Sequence, residues 1–325
     1  MKDRPDMTVK IGALTLANPV LTASGCFGFG EEFKNFFDLN TLGAIVVKGT
    51  TLRPRAGNPP PRLKEVPAGL LNAIGLQNPG VDRVIGEELP RLKGVKPPVI
   101  VNVAGESLHE YVEAARRLAE SPLVAALEVN ISCPNVARGG AAFGTCPLQA
   151  EALVKAVREV FPGTLIVKLT PNVTDIREIA RGAAAGGADA LSLINTLTGM
   201  AIDVEGQAPV LGNVTGGLSG PALRPVAVRM VWQVAEAVEL PIIGMGGITS
   251  AEDALEFILA GASAVAIGTA GLVDPSVFGR VLSGLEAYLV RKSIPRLGDI
   301  CRRAHGWEER KGLKSGKEGG EGCEN

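Results

Sequence analysis

The segment LVAALEVNISCPN, residues 123–135, decides how the rest of the chain is interpreted. Its apolar residues 123–129 predict a buried strand, and the strand is expected to end near Ser132 because Pro134 has no N–H to donate. Cys133 and the amides of Asn130 and Asn135 then follow at the strand exit, where loops commonly carry function. A thiol with an ordinary pKa of about 8.5 can serve as a general base near neutrality. This pattern favours a pocket for a planar polar ligand, although a lone cysteine that only packs is the competing interpretation.

Working outward from this segment, the same strand pattern occurs eight times, and each strand is followed by a helical pattern. The predicted strands span residues 20–24, 44–48, 99–103, 123–132, 165–170, 190–196, 241–246 and 264–268. The predicted helices span residues 31–39, 81–92, 107–120, 148–161, 175–185, 222–238, 251–260 and 275–290. An eightfold β/α alternation predicts an α/β fold, a (β/α)8 TIM barrel, with a doubly wound open sheet as the alternative.

Segments outside the repeat also have distinct patterns. Residues 8–17 alternate around Gly12 and predict a short N-terminal β-hairpin before the barrel. Residues 50–72 and 197–220 are too long to be simple turns, and both follow strands, as active-site loops do. Residues 1–295 are therefore assigned to the barrel domain, and the polar, Gly- and charge-rich residues 296–325 to a tail expected to be disordered.

Composition excludes several classes of function. Hydrophobic residues make up 46% of the 325 and aromatic residues only 4%, which is typical of an aliphatic parallel α/β core. The net charge of −1 gives no basic surface for nucleic acid or a membrane. The five cysteines are odd in number and lack C-x-x-C spacing, so no disulfide framework and no metal site is predicted. With a polar N-terminus that does not resemble a signal peptide, the expected location is the cytoplasm.

Polar or glycine residues stand at the same end of every predicted strand, which is where barrel enzymes keep their active sites. They are Ser24, Lys48, Asn102, Asn130 with Cys133, Lys168, Asn195 with Thr196, Gly246 with Gly247, and Gly268 with Thr269. The glycines allow backbone N–H groups to approach a phosphate, and Lys168 can offset negative charge on a cofactor ring. A phosphate site, a cation, several amides and a thiol favour flavin mononucleotide. No G-x-G-x-x-G motif follows a strand, so a dinucleotide site is not indicated.

Four longer motifs carry a resemblance to a known family: residues 72–80 (NAIGLQNPG), 130–135 (NISCPN), 195–203 (NTLTGMAID) and 216–220 (GGLSG). In this order they resemble class 1 dihydroorotate dehydrogenases, most closely the B-type (NAD-linked) catalytic subunit. The resemblance covers roughly residues 8–294. Two positions depart from the family pattern, since Cys146 replaces a commonly acidic residue and the tail is longer than usual.

The resemblance implies FMN-dependent oxidation of (S)-dihydroorotate to orotate in pyrimidine (UMP) biosynthesis. Cys133 would be the base that removes the C5 proton while a hydride passes from C6 to FMN. The implied substrate-binding residues are Lys48, Asn72, Ala73, Ile74, Gly75, Leu76, Asn130, Asn195 and Thr196. The implied FMN-binding residues are Ser24, Lys48, Gly49, Asn102, Asn130, Lys168, Ile194, Gly220, Gly246, Gly247, Gly268 and Thr269.

The resemblance also implies a partner subunit that carries FAD and a [2Fe–2S] cluster and passes electrons to NAD. The expected assembly is a homodimer of this chain within a heterotetramer, with no nucleic acid or membrane partner. Three other interpretations remain open at this point. They are the catalytic module of a dihydropyrimidine dehydrogenase, an A-type enzyme that uses fumarate, and a phosphate-binding barrel without redox activity.

Overall fold

The protein was analysed as a computed structural model, which describes residues 4–132 and 143–307. Its centre is an eight-stranded parallel sheet in which strands adjacent in the chain are also adjacent in space. This order confirms the barrel and not the doubly wound sheet. The first to eighth barrel strands are Val20–Thr22, Ile45–Thr50, Val99–Val103, Ala126–Asn130, Thr164–Lys168, Ala190–Leu193, Ile242–Met245 and Ala264–Ile267.

The barrel closes between its first and second strands through a short contact. A single parallel bridge joins Leu21 to Ala44. The buried hydroxyl of Thr22 then replaces further backbone pairing, because its Oγ1 accepts from the Val46 N–H at 2.8 Å and donates to the Val46 carbonyl at 3.1 Å. A threonine side chain thus satisfies backbone groups that a flat sheet would pair directly.

Helices follow the strands and cover the outside of the barrel with aliphatic side chains. The longer ones are Leu108–Ala119, Pro147–Arg158, Ile176–Ala185, Arg224–Ala237, Ala251–Ala260 and Val277–Lys292, with short helices at Val81–Arg83 and Thr269–Val273. The predicted helix at 81–92 continues from Val81–Arg83 through a π-turn at Val84–Glu88 into a 3-10 turn at Leu89–Leu92. Pro90 in that final turn lacks the N–H that a regular helix would use.

The helix predicted at residues 31–39 is wrong. The structure has two separate 3-10 turns there, Glu31–Phe33 and Leu39–Thr41. The carboxylate of Asp38 accepts from the N–H of Asn40 and starts a new turn, and such local bonds compete with a continuous helix. Phe33 also stacks on Phe27, with ring centroids 4.3 Å apart, so aromatic packing sets the path of this segment.

The end of the barrel at which its strands begin is covered by the N-terminal hairpin and by residues near the C-terminus. The predicted hairpin is confirmed as Val9–Ile11 paired with Leu14–Leu16, and the N–H of Ala13 donates to Thr164 Oγ1 at 3.2 Å. Residues 296–307, placed in the tail by the sequence, form 3-10 turns in which Leu297 and Ile300 are buried. The rest of the predicted tail, residues 308–325, lies outside the described residues.

The two long connections, which the sequence treated as loops, combine into one antiparallel sheet. Its strands, in spatial order, are Leu197–Met200, Thr215–Ser219, Gly69–Asn72 and Leu63–Val66. We call this the rim sheet, because its strands follow the carboxyl ends of the second and sixth barrel strands. A small core of Leu71, Ala73 and Leu211 holds it together. In the described ranges, no helix has the length and apolar character needed to cross a membrane.

Candidate active site

A polar layer lies inside the barrel, near the carboxyl ends of the middle strands. Side chains alternate along a strand, so Glu128 and Asn130 of the fourth strand point the same way. Strand register places Asn102 beside Glu128, and Lys168 beside both Asn130 and Ser192. All five side chains are buried, with Glu128 only 1% and Lys168 only 5% exposed.

Glu128 is the centre of a hydrogen-bonded group that we call the Glu128 network, comprising Glu128, Asn102, Ser192, Lys168 and Ser24. Asn102 Nδ2 donates to Glu128 Oε1 at 2.7 Å, and Ser192 Oγ donates to Oε2 at 2.8 Å. Lys168 Nζ lies 3.9 Å from Oε1 and donates to Ser24 Oγ at 2.9 Å. Sequence reasoning placed Ser24, Asn102 and Lys168 at this rim but missed Glu128 and Ser192. A carboxylate between apolar neighbours in a buried strand was the available signal.

Asn130 links the barrel interior to the loop after the fourth strand. Its Oδ1 accepts from Asn195 Nδ2 at 3.3 Å and from the N–H of Ser132 at 3.2 Å. Its carbonyl accepts from the Tyr111 hydroxyl at 2.6 Å. The amides of Asn130 and Asn195 therefore meet, and Tyr111, to which the sequence analysis gave no role, fixes the backbone at Asn130.

The rim sheet brings further predicted site residues, Asn72 and Thr196, to the carboxyl end of the barrel strands. Asn72 Nδ2 donates to the Gly217 carbonyl at 3.2 Å, which joins the two long connections. The side chain of Thr196 lies so close to Gly217 that a Cβ at that glycine would overlap it. Asn172, also missed from the sequence, donates through Nδ2 to the Thr196 carbonyl at 3.1 Å and accepts from the Thr198 N–H at 2.9 Å.

The predicted substrate-binding segment, residues 72–76, is held in a fixed path by one residue, Asn58. Asn58 Nδ2 donates to the Ala73 carbonyl at 3.0 Å, and the Asn58 N–H donates to the Ile74 carbonyl at 3.1 Å. Gly75 has φ +73°, and a Cβ there would lie 2.6 Å from the Asn58 backbone nitrogen. Glycine is therefore required at this turn.

Lys48 and Gly49 lie at an irregularity in the second barrel strand. The register with the third strand shifts between Val47 and Thr50, and such a bulge redirects side chains near active sites. A Cβ at Gly49 would lie 3.1 Å from Asn102 Oδ1 and 3.4 Å from Leu76 Cδ2. Gly49 thus lies between the Glu128 network and the predicted substrate segment.

Glycines from three predicted positions line one cavity of about 260 Å³ beside the seventh and eighth strands. Gly220 and Gly247 both have positive φ, +99° and +77°, and a Cβ at Gly247 would lie 2.8 Å from the Gly220 carbonyl oxygen. Gly268 and Thr269 complete this side, and Thr269 Oγ1 donates to Ser219 Oγ of the rim sheet at 2.8 Å. Side chains that include Asp274 and Arg280 line the rest of the cavity, and the backbone exposed at its glycines suits a phosphate group. Gly246, with φ +130°, lies next to Ile194.

Comparison with known proteins identifies the family. The family model described as dihydroorotate dehydrogenase matches residues 6–289. The chain belongs to the dihydroorotate dehydrogenase family. A protein of Desulforudis audaxviator named dihydroorotate dehydrogenase B (NAD(+)), catalytic subunit, is 61% identical over 297 residues, covering 91% of this chain and 97% of the relative. One of Trichlorobacter lovleyi with the same name is 57% identical over 303 residues, covering 93% and 100%. The B-type resemblance is thus confirmed, and the chain is an oxidoreductase of the dihydroorotate dehydrogenase family.

The predicted base, Cys133, lies outside the described residues, as does Asn135. The last described residue before them is Ser132, whose Oγ donates to the Lys168 carbonyl at 3.2 Å. This contact places the start of that loop at the Glu128 network. Cys146 begins the helix Pro147–Arg158 without a side-chain capping bond.

The thiol of Cys26 lies on the first-strand side of the barrel rim, 3.3 Å from where a Cβ of Gly268 would stand. Burial raises the pKa of this thiol, and the charge of Lys168 opposes that shift only in part. Cys26 is therefore neutral at physiological pH and unsuited to act as a base. Within residues 4–132 and 143–307, the His, Cys, Asp and Glu side chains form no group of three that could hold a metal ion.

Proposed function

We propose that this chain oxidises (S)-dihydroorotate to orotate for pyrimidine (UMP) synthesis, with one FMN per chain as the hydride acceptor. One observation carries the proposal: the barrel rim gathers a buried lysine, paired amides and a glycine-lined cavity in a chain that matches dihydroorotate dehydrogenase relatives over more than nine-tenths of its length. In this proposal the lysine serves the flavin ring, the amides serve the substrate, and the cavity serves the FMN phosphate.

The proposed FMN site runs from the glycine-lined cavity to the Glu128 network. Gly220, Gly247, Gly268 and Thr269, which line the cavity, would hold the phosphate through backbone groups. Lys168 would lie against the ring, where a cation favours the reduced form. The remaining proposed contacts come from Ser24, Lys48, Gly49, Asn102, Asn130, Ile194 and Gly246.

The proposed substrate site lies between the barrel and the rim sheet. Asn130 and Asn195 are already hydrogen-bonded to one another and would share their amides with a planar ligand. Lys48 would pair with the substrate carboxylate, and Asn72, residues 73–76 and Thr196 would complete the pocket. Bound FMN supplies the hydride acceptor, whereas Cys133 would take the C5 proton.

Electrons are proposed to leave through a partner subunit that carries FAD and a [2Fe–2S] cluster and reduces NAD. The relatives' printed name, catalytic subunit of an NAD(+) enzyme, supports a separate subunit for that step. The sequence itself has no G-x-G-x-x-G motif after a strand. The proposed assembly is two copies of this chain within a heterotetramer.

The first test is an anaerobic half-reaction. Dihydroorotate is added without oxygen to the purified yellow protein, and the long-wavelength flavin absorbance is followed. We expect rapid bleaching with dihydroorotate and none with dihydrouracil, which lacks the carboxylate. Bleaching by dihydrouracil would favour a dihydropyrimidine dehydrogenase, and a yellow protein that neither compound bleaches would overturn the substrate.

A second step identifies the electron acceptor. The bleached protein is mixed with fumarate, with NAD alone, or with NAD and the purified partner subunit. Reoxidation only in the last mixture is expected. Rapid reoxidation by fumarate would instead assign the A-type reaction, and a protein that remains colourless after FMN is added would favour the non-redox barrel.

A further inference from the structure

Glu128 is a buried carboxylate that the proposed function leaves without a role. It is 1% exposed and lies on the same face of the fourth barrel strand as Asn130. An ionised group removed from water is strongly destabilising unless it is paired and hydrogen-bonded. The side chains of Asn102, Ser192 and Lys168 supply such partners, two as neutral donors and one as a cation.

We propose that Glu128 is a positioning residue that acts through Lys168 to set how strongly the chain prefers reduced over oxidised FMN. This inference rests on the proposed FMN site and deepens it. Glu128 touches neither ligand in this proposal. It acts by partly compensating the charge of the lysine and by holding Asn102 and Lys168 in place.

The distances separate this arrangement from an ordinary ion pair. Lys168 Nζ donates to Ser24 Oγ at 2.9 Å, while the nearest carboxylate oxygen of Glu128 is 3.9 Å away. The hydrogen bonds of Asn102 and Ser192 occupy the two oxygens of Glu128 and hold the carboxylate back from the lysine. The ammonium therefore stays directed towards the rim, with its positive charge reduced but not neutralised by a direct contact.

A consequence for FMN follows from charge alone. Reduced FMN holds more negative charge on its ring than oxidised FMN, so a positive neighbour stabilises the reduced form more. Glu128 weakens that preference through the lysine, because its attraction for Nζ of Lys168 draws the positive charge towards the carboxylate and away from the ring. Its presence would keep the reduced cofactor from being too stable to pass electrons onward.

The test compares the affinity of the apoprotein for oxidised and reduced FMN, which needs no turnover. The variant Glu128→Gln keeps the size of the side chain and removes its charge. At constant pH, we expect the preference for reduced FMN to rise on the order of tenfold. By linkage, the midpoint potential of bound FMN moves to a more positive value.

A double variant shows whether Glu128 acts through Lys168. In a Lys168→Met background, Glu128→Gln should change the oxidised-to-reduced affinity ratio much less than it does alone. Ser192→Ala is the matched control, because it removes one hydrogen bond to the carboxylate but keeps the charge. Its ratio should remain closer to that of the unmodified chain than the ratio of Glu128→Gln.

Three results would overturn the inference. They are an unchanged ratio in Glu128→Gln, equal weakening of both redox forms as expected for a purely structural role, and the same shift with and without Lys168. If Glu128→Gln does not fold, Glu128→Asp carries the test. It keeps the charge but withdraws it from Nζ, so a smaller shift in the same direction is expected, and an unchanged ratio overturns the inference. Failure of the unmodified chain to bind FMN would instead refute the proposed function.

Discussion

The Glu128 network and the rim sheet meet at the same barrel mouth but are built in opposite ways. The network uses side chains of adjacent strands, such as Asn102 and Glu128, which the strand register places side by side. The rim sheet joins parts of the chain that lie far apart, as in the hydrogen bond from Ser219 Oγ to the Leu70 carbonyl, 149 positions away. The network is buried and charged, whereas rim-sheet side chains such as Leu63 and Met200 are about half exposed.

This difference suggests that the two regions have different functions. The rigid barrel interior would hold the cofactor, and the separately assembled rim sheet would shape the pocket for the substrate. If so, substitutions in the network should change FMN binding, and substitutions in the rim sheet should change substrate use with FMN retained. The following variants test that difference, beginning with the largest expected effect.

Cys133→Ala should separate chemistry from binding most completely. We expect turnover to fall by about 10²–10⁴-fold, the usual contribution of a positioned general base, while FMN content stays the same. Steady-state rates per bound FMN provide the measurement. Cys301→Ala, at the other end of the barrel, is the control thiol and should retain full turnover. A nearly normal rate in Cys133→Ala would assign the base to another residue.

Lys168→Ala should weaken the binding of FMN or slow its reduction. Loss of a charged donor is expected to weaken FMN binding by about 10- to 100-fold, or to slow its reduction by dihydroorotate correspondingly. It also leaves Glu128 without its cation, so the midpoint of urea unfolding should fall. Fluorescence titration and stopped-flow bleaching measure the first two quantities. Lys64→Ala on the rim sheet is the control, and unchanged FMN affinity and reduction rate in Lys168→Ala would contradict its role.

Gly217→Ala should affect the substrate and spare the cofactor. The new Cβ would overlap Thr196 and push the rim sheet away from the sixth strand, at a strain of about 1–3 kcal/mol. We expect KM for dihydroorotate to rise about tenfold with FMN affinity unchanged. Gly279→Ala is the matched control, since a Cβ there meets open space. Loss of FMN in Gly217→Ala would show that the two regions are not separable.

Thr22→Val should affect stability alone. Valine has the same shape but cannot accept from the Val46 N–H, so a buried donor loses its partner. The expected loss is about 1–3 kcal/mol in the free energy of unfolding, measured by urea denaturation with saturating FMN. Thr215→Val, on the exposed surface of the rim sheet, should change it by less than about 0.5 kcal/mol. Equal effects from both would mean that the hydroxyl of Thr22 does not secure the barrel closure.

The two regions also differ in how far the sequence could predict them. All eight barrel strands were located from short apolar runs, because each strand is buried on both sides and its pattern is local. The ends of those strands then predicted Lys168, Asn102 and Asn130 as site residues, and the resemblance added residues 72–76; the structure brings the first three together, and their binding roles stay predictions. The identity of Cys133 as the base stays a prediction.

Three features were missed for physical reasons. The pairing of residues 69–72 with 215–219 depends on the barrel to bring them together, and neither segment has a periodic pattern of its own. Glu128 has the appearance of a stray charge until its partners on two other strands are known. The helix predicted at 31–39 does not form, because an Asp38 side-chain hydrogen bond starts a new turn and aromatic packing sets the path of the segment. The spacing of apolar residues contains no information about either interaction.

The pairing of the first barrel strand with the eighth also bears on how the protein is made. Val20 pairs with Val265, and the Ala23 N–H donates to the Ile267 carbonyl at 2.9 Å. During synthesis the chain emerges from its N-terminus, so Ser24 leaves the ribosome long before Gly268. The two sides of the proposed FMN site can therefore meet only after the eighth strand has left the ribosome. We expect ribosome-bound chains that end before residue 264 to be unable to retain FMN, which makes flavin capture depend on synthesis of the eighth strand.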